Sequence, residues 1–267
     1  MVGRHNLARL LLRRQGIIHS CRNISLSQRL QQDQVGPDRL LPASDFRAWE
    51  AETAVQLRLA HSGPASSQPI SVPTLLRRQV EQLPDKAALR ARGRKGEDIQ
   101  WTWTQYHDEV RAVGKGLIEL GLEQFHTVAI LGHNDPAWHI SNLAAIHAGG
   151  FSTGIYQTNT AAACQYIADD SRANVVVVGD LVQLEKVLSI RDSLPHLRSI
   201  VLYGEDEVPS DTNGVVSWKE LLDLGRAASD RNLDNRLAKI AINQVFPLQF
   251  CFGNILMYLE YNHYPGI

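Results

Sequence analysis

The chain has 267 residues, 44% of them hydrophobic and 21% charged, enough for one large domain or two small ones around a sizeable core. Its formal net charge of −1, with basic residues scattered rather than striped beyond the N-terminus, gives no electrostatic case for a nucleic-acid partner. Cys21, Cys164 and Cys251 are odd in number, far apart and never in a C-x-x-C pair, which suggests neither a disulfide framework nor a zinc site and makes a reducing compartment the simplest reading.

The first segment, 1–32, is a basic leader with six arginines and no carboxylate before Asp33. Leu7, Leu10 and Leu11 share one helical face while Arg9 and Arg13 lie elsewhere, the pattern of a mitochondrial presequence. The stretch "RNISLS" also has the form of a matrix-processing site. A disordered basic leader is the alternative, so mitochondrion and cytoplasm or endoplasmic-reticulum surface both stay open. A secretory signal is disfavoured because Arg13 and Arg14 break the apolar run at 10–12. Residues 33–70 carry Pro37, Pro42, Pro64 and Pro69 and read as a linker or extended segment, with one short element over 46–59.

Folding is expected from Ser71. Leu75, Leu76, Val80 and Leu83 recur at helical spacing between Pro73 and Pro84. "DIQWTWTQY" alternates as a strand with Ile99, Trp101 and Trp103 on one side, after which Thr104 is placed to cap a helix carrying Val110, Val113, Leu117 and Leu120 up to Gly121. A βα rhythm follows. The fully apolar strand "TVAIL" leads to a helix with Asp135 as N-cap and Pro136 at its first position. The strand "FSTGIY" precedes a Thr160-capped helix, "NVVVV" an Asp180-capped one, and "SIVLY" a short helix in "VSWKELLDLG". Strands alternating with helices in this way imply an α/β fold, a doubly wound and mostly parallel sheet with flanking helices.

Motifs that carry chemistry are sparse. There is no G-x-G-x-x-G and no G-x-x-x-x-G-K-[ST] to bring backbone N–H groups to a phosphate. Gly114 and Gly116 fall inside a helix, where they permit close packing, and the glycines of "HAGGFSTG" sit where a helix ends. His126, His133, His139 and His147 include no i,i+4 pair and have few acidic neighbours, which argues against a metal site. Asp169 and Asp170 are adjacent and diverge on a helix, and Cys164 has apolar neighbours and no local base. The acidic run 205–207 reads as an exposed loop. From the residues alone there is a fold class and no catalytic, cofactor-binding or metal residue to name.

Longer segments carry a resemblance. "PDKAALRARGRKGEDIQWTWTQYHDEVRAVGKGLIELGL" resembles the opening of the adenylate-forming (AMP-binding) synthetases, and "VAILGHNDPAWHISNLAAIHAGGFSTGIYQTNTAAACQYIADDSRANVVVV" resembles their next βαβα section. "SGPASSQPISVPTLL", "GIYQTNTAAACQYIA", "QLEKVLSIRDSLPHLRSIVLY" and "SWKELLDLG" are similar to the bubblegum-type long-chain fatty acid–CoA ligases. The resemblance runs over about 62–242 and implies the N-terminal part of the adenylate-forming fold over 71–244, incomplete in itself. It also implies a two-step reaction: fatty acid and ATP give an acyl-adenylate and pyrophosphate, then CoA displaces AMP. A long-chain fatty acid, ATP, Mg²⁺ and CoA are the implied substrate and cofactors, but the phosphate loop and catalytic motifs of that family are not in this sequence.

The resemblance stops near Gln244, and "VFPLQFCFGNILMYLEYNHYPGI" follows, an apolar tail over 245–267 unlike the family. Residues 240–259 carry no charge, but their polar interruptions fit an exposed apolar patch or peripheral membrane association better than a span. The expectation is a ligase fragment, inactive alone, with an exposed strand edge and marginal stability. The alternative is a truncated isoform acting as a non-catalytic binding or dominant-negative module.

Overall fold

The structure, a computed structural model, describes residues 38–48, 50–93, 96–204, 208–209, 212–244 and 247–248. The leader, the acidic run 205–207 and almost all of the tail lie outside the described residues. After a single 3-10 turn over Pro64–Ser66 comes the first α-helix, α1 (Val72–Gln82), with the Ser71 hydroxyl accepting from the Thr74 N–H. A bulged antiparallel hairpin, β1 (Ala87–Arg92) and β2 (Asp98–Thr102), leads into α2 (Trp103–Glu119). The repeating part then runs β3 (Thr127–Leu131), α3 (Pro136–His147), β4 (Phe151–Ile155), α4 (Ala161–Asp170), β5 (Ala173–Val178), α5 (Leu181–Leu188) and β6 (Ser199–Leu202). It closes with β7 (Val215–Ser217), α6 (Trp218–Ala227), α7 (Asp230–Leu237) and a two-residue strand, β8 (Pro247–Leu248).

The larger sheet has the order β7-β6-β5-β3-β4-β8, and every pairing in it is parallel. Its strands are apolar on both faces because helices cover both. Val128, Ile130, Val175, Val177 and Val201 meet α1, α2, α3, α6 and α7 on one side. Their alternates Ala129, Leu131, Val176, Val178, Ile200 and Leu202 meet α4 and α5 on the other. This is the doubly wound arrangement that the βα rhythm implies.

Local chemistry sets the helix starts. Asp135, Thr160 and Asp180 cap α3, α4 and α5 through their side-chain oxygens. The expected cap at Thr104 is corrected: Thr102 and Gln105 form a capping box, so α2 begins at Trp103, and Thr104 instead donates its hydroxyl to the Pro84 carbonyl. The apolar stripe of α1 is also narrower than its spacing implied. Leu76 is buried, whereas Leu75 and Leu83 are exposed, since α1 lies outside α2 and α3 and is covered on one face only.

The short element expected over 46–59 does not form among the described residues there. Hydrogen bonds to Asn243 and Gln244 hold that segment and the residues before it, the Gln244 amide donating to the Glu52 carbonyl. Asn243 accepts from the Leu41 N–H and donates to the carbonyls of Leu41 and Val55, while its own carbonyl takes the Val55 N–H. Arg39 bridges Ala241 in parallel. Among the described residues, no helix is long and apolar enough to cross a membrane.

Candidate functional site

The chain leaves β3 for β4 on one side of it and returns to β5 on the other. The point where strand order reverses therefore lies at the carboxyl ends of β3 and β5, where open α/β sheets place their ligand crevice. Each strand there is followed at once by a glycine or a Tyr-Gly pair: Gly132 after β3, Gly179 after β5, and Tyr203-Gly204 after β6. A Cβ on Gly204 would sit 1.4 Å from the Gly179 carbonyl oxygen, and one on Gly179 would sit 2.9 Å from the Gly132 Cα. A Cβ on Gly132 would meet the Tyr203 hydroxyl at 1.9 Å. The three strand ends are thus in backbone contact, and the Tyr203 ring fills the crevice above them.

Tyr203 is fixed at both ends. Its hydroxyl donates to the His133 carbonyl at 3.1 Å, and its ring meets Trp218 edge-on with centroids 6.4 Å apart. Burial, with the nearby Asp135 and Asp180 carboxylates, pushes the phenol well above its ordinary pKa, so it is a neutral donor. The two helix N-termini flanking it already have their partners. Asp135 accepts from the Ala137 N–H and Asp180 from the Gln183 N–H, each at 2.8 Å. Among the described residues, the arrangement meets an incoming phosphate with two carboxylates, Asp135 and Asp180, beside a crevice filled by Tyr203. It does not fit a nucleotide triphosphate with its Mg²⁺.

The residues weighed from the sequence do not converge on one site. Gly114 and Gly116 lie where α2 meets its neighbours: a Cβ on Gly116 would be 2.6 Å from the Leu221 carbonyl oxygen of α6. Gly149, at φ +75°, and Gly150 end α3 with the paired hydrogen bonds of a Schellman motif, to Ile146 and Ala145. His126 sits before β3, beside Arg172 and Glu123, whereas His133 lies at the opposite, carboxyl end. His139 stacks edge-on against Trp138, and His147 is buried at the end of α3. Cys164 is in the core, its thiol pushed up by burial, and Asp169 and Asp170 are exposed. Among the described residues, no three His, Cys, Asp or Glu side chains are grouped to hold a metal ion. Sequence reasoning missed Tyr203. Its available signal was the repeated strand-then-glycine pattern of "AILG", "VVVG" and "VLYG".

The family described as AMP-binding enzyme matches residues 76–237, from within α1 to the last residue of α7. The long-chain-fatty-acid–CoA ligase ACSBG2 of Xenopus laevis is 39% identical over 218 residues, 80% of this chain and 29% of that protein. The rat (Rattus norvegicus) long-chain-fatty-acid–CoA ligase ACSBG1 is 37% identical over 213 residues, again 80% of this chain and 29% of the relative. The chain belongs to the AMP-binding enzyme family. Its relatives are the bubblegum-type ligases, and it spans 29% of the length of the two named. The crystal structure of a long-chain-fatty-acid–CoA ligase (FadD1) from Archaeoglobus fulgidus aligns with a TM-score of 0.55 at 12% identity, over 70% of this chain and 35% of that one. At that identity it shows the fold alone, the partial adenylate-forming α/β architecture. For this AMP-binding segment the whole sheet apart from β8 lies inside the family match, and the crevice filled by Tyr203 lies inside it too.

Proposed function

We propose that this chain supplies the N-terminal α/β portion of a long-chain fatty acid–CoA ligase and does not carry out ligation on its own. In the complete reaction, a fatty acid carboxylate and ATP would form an acyl-adenylate with release of pyrophosphate, and the CoA thiol would then displace AMP. The first step brings an anionic carboxylate to an anionic triphosphate, so it needs Mg²⁺, Lys or Arg and a flexible phosphate loop to spread the charge. The observation carrying the proposal is that the family match covers α1 to α7 while the strand-end crevice within it is occupied by Tyr203 and two Asp-capped helix ends. This portion therefore acts as scaffold, and the triphosphate chemistry falls to residues outside it.

Two assays test the two halves of the reading. Replacing the corresponding segment of the Xenopus laevis ligase with residues 76–237 of this chain is expected to give a chimera that still forms palmitoyl-CoA. A chimera that is soluble and folded by circular dichroism, yet inactive, would sink the first half. Residues 1–267 alone, incubated with palmitate, ATP, Mg²⁺ and CoA, are expected to form no thioester, and a measurable turnover would sink the second.

A further inference from the structure

At the amino end of the sheet, opposite the Tyr203 crevice, α1, α2, α3 and α7 border a cavity of about 260 Å³. Its polar lining is Thr74 and Arg77 from α1, His107 and Arg111 from α2, His147 from α3 and Asp234 from α7. These residues come from four helices and lie on one site only because the helices stack on the same face of the sheet.

His147 decides what the cavity can recognise. It is 2% exposed, and its Nδ1 lies 2.7 Å from the Leu143 carbonyl oxygen. A carbonyl only accepts, so Nδ1 carries the proton and Nε2 of the neutral ring is a bare acceptor. Burial, with Arg111 and His107 close by, pushes the ring pKa down to about 4 and keeps it neutral. Nε2 has no hydrogen-bond partner among the described residues, so a ligand here must bring it a donor.

The two arginines ask for the opposite. Arg111 gives Nη2 to Asp230 and Asp234, at 3.1 and 2.9 Å, and Arg77 gives Nη1 to Glu81. Each guanidinium has five N–H donors, so both retain donors for an anion. Asp234 is the acidic group of the lining, and it is already held by Arg111. His107, packed edge-on against His147 with centroids 6.5 Å apart, is held below its ordinary pKa by burial and by Arg111. The site therefore combines two cationic donors with the neutral His147 and His107 rings, the Thr74 hydroxyl and an Asp234 carboxylate held by Arg111, in a volume below that of most drug-sized pockets, about 300–1,000 Å³.

We propose that this cavity binds inorganic hydrogen phosphate, with its charged oxygens on Arg77 and Arg111 and its P–OH donated to Nε2 of His147. At neutral pH phosphate keeps a hydroxyl proton and sulfate does not. Sulfate matches the arginines but meets the His147 lone pair with a lone pair of its own. The assignment does not depend on the ligase reading, since the site lies at the end of the sheet away from the crevice.

Isothermal titration of the full 267-residue chain at pH 7 tests it, with inorganic phosphate and, at matched ionic strength, sulfate as separate titrants. Saturable one-to-one binding of phosphate is expected, with sulfate about tenfold weaker. Arg77→Gln is expected to weaken phosphate about tenfold while leaving the ligand-free melting temperature unchanged, because Arg77 and its partner are exposed. His147→Leu is expected to abolish the preference for phosphate over sulfate. No saturable binding, equal affinity for sulfate and phosphate in the unmodified chain, or an Arg77→Gln protein that binds as before would each overturn the assignment.

Discussion

At the carboxyl ends of β3, β5 and β6, three glycines and Tyr203 bring the molecule to contact distance, whereas at the amino end His147, His107 and Arg111 border a cavity of about 260 Å³. The two lie at opposite ends of the same sheet, and α3 runs from one to the other, from its Asp135 cap to His147. The difference comes from which residues the crossovers deliver. Strands ending in glycine let neighbouring backbones and one ring close the space above them. Polar residues in the first halves of α1 and α2, at the end of α3 and in the middle of α7 border a gap. An open α/β sheet is expected to bind its ligand at the carboxyl end. Among the described residues of this chain that end is filled from within, and a cavity with a polar lining lies at the other.

The largest test of the filled end is Gly204→Ala. The new Cβ would lie 1.4 Å from the Gly179 carbonyl oxygen, so one of two paired backbones has to move. A loss on the order of 3–5 kcal/mol in urea unfolding is expected, enough to leave little folded protein. A loss below about 1 kcal/mol would show that the strand ends are looser than the contact implies.

The open end responds to pH instead. His147 takes up its proton near pH 6.5 in the unfolded chain and only near pH 4 when folded. The unfolded state therefore binds more protons across that window, and stability is full above about 6.5 and falls as pH drops towards 4. His107, also held low by burial, adds in the same direction. The His147 share is expected to reach about 2–3 kcal/mol at pH 4, seen as the part of the pH dependence that His147→Leu removes. An unchanged profile in that variant would mean that the ring is hydrated or protonated in the folded state.

A smaller effect separates the Tyr203 ring from its hydroxyl. Tyr203→Phe removes the donor to the His133 carbonyl and is expected to cost about 1 kcal/mol. Because that hydroxyl is the nearest atom to a Cβ on Gly132, at 1.9 Å, Gly132→Ala should cost less in the Tyr203→Phe background than in the original chain. Additive costs in the double-mutant cycle would show that the Tyr203 hydroxyl does not limit the space at Gly132.

The sequence was most legible where the physics is local. The all-apolar runs of β3 and β5, the caps Asp135, Thr160 and Asp180, and the glycine stop after α2 are settled by a few neighbouring residues. What escaped depends on distant partners. β1, reading "AALRAR", has no continuous apolar run and exists because β2 pairs with it. α7, reading "DRNLDNRL", is polar apart from Leu233 and Leu237. Leu233 is fully buried in the α2 and α3 core, and Arg111 ties Asp230 and Asp234 to α2. Thr104 lost the cap to Thr102 because Gln105 stands three residues after Thr102 and completes a capping box. The strand-end glycines were visible one by one, but their mutual contact follows from strand order. The cavity joins positions 77, 107, 111, 147 and 234, and no local pattern links them.

Arg77→Gln makes the smallest change and separates binding from folding at the open end. Arg77 and Glu81 are an i,i+4 pair with both side chains 57% exposed, a geometry in which water and salt screen most of the attraction. Removing the charge is expected to shift unfolding stability by less than about 0.5 kcal/mol, with or without added salt at about 0.5 M NaCl. Arg111 has the contrary position: its side chain is 25% exposed and clamped between Asp230 and Asp234, so Arg111→Gln leaves two carboxylates on α7 without their common partner. A stability loss for Arg77→Gln close to that of Arg111→Gln would mean that both arginines hold the helices together. If only Arg111→Gln destabilises, the exposed arginine has no structural task at the amino end and is free to meet a ligand.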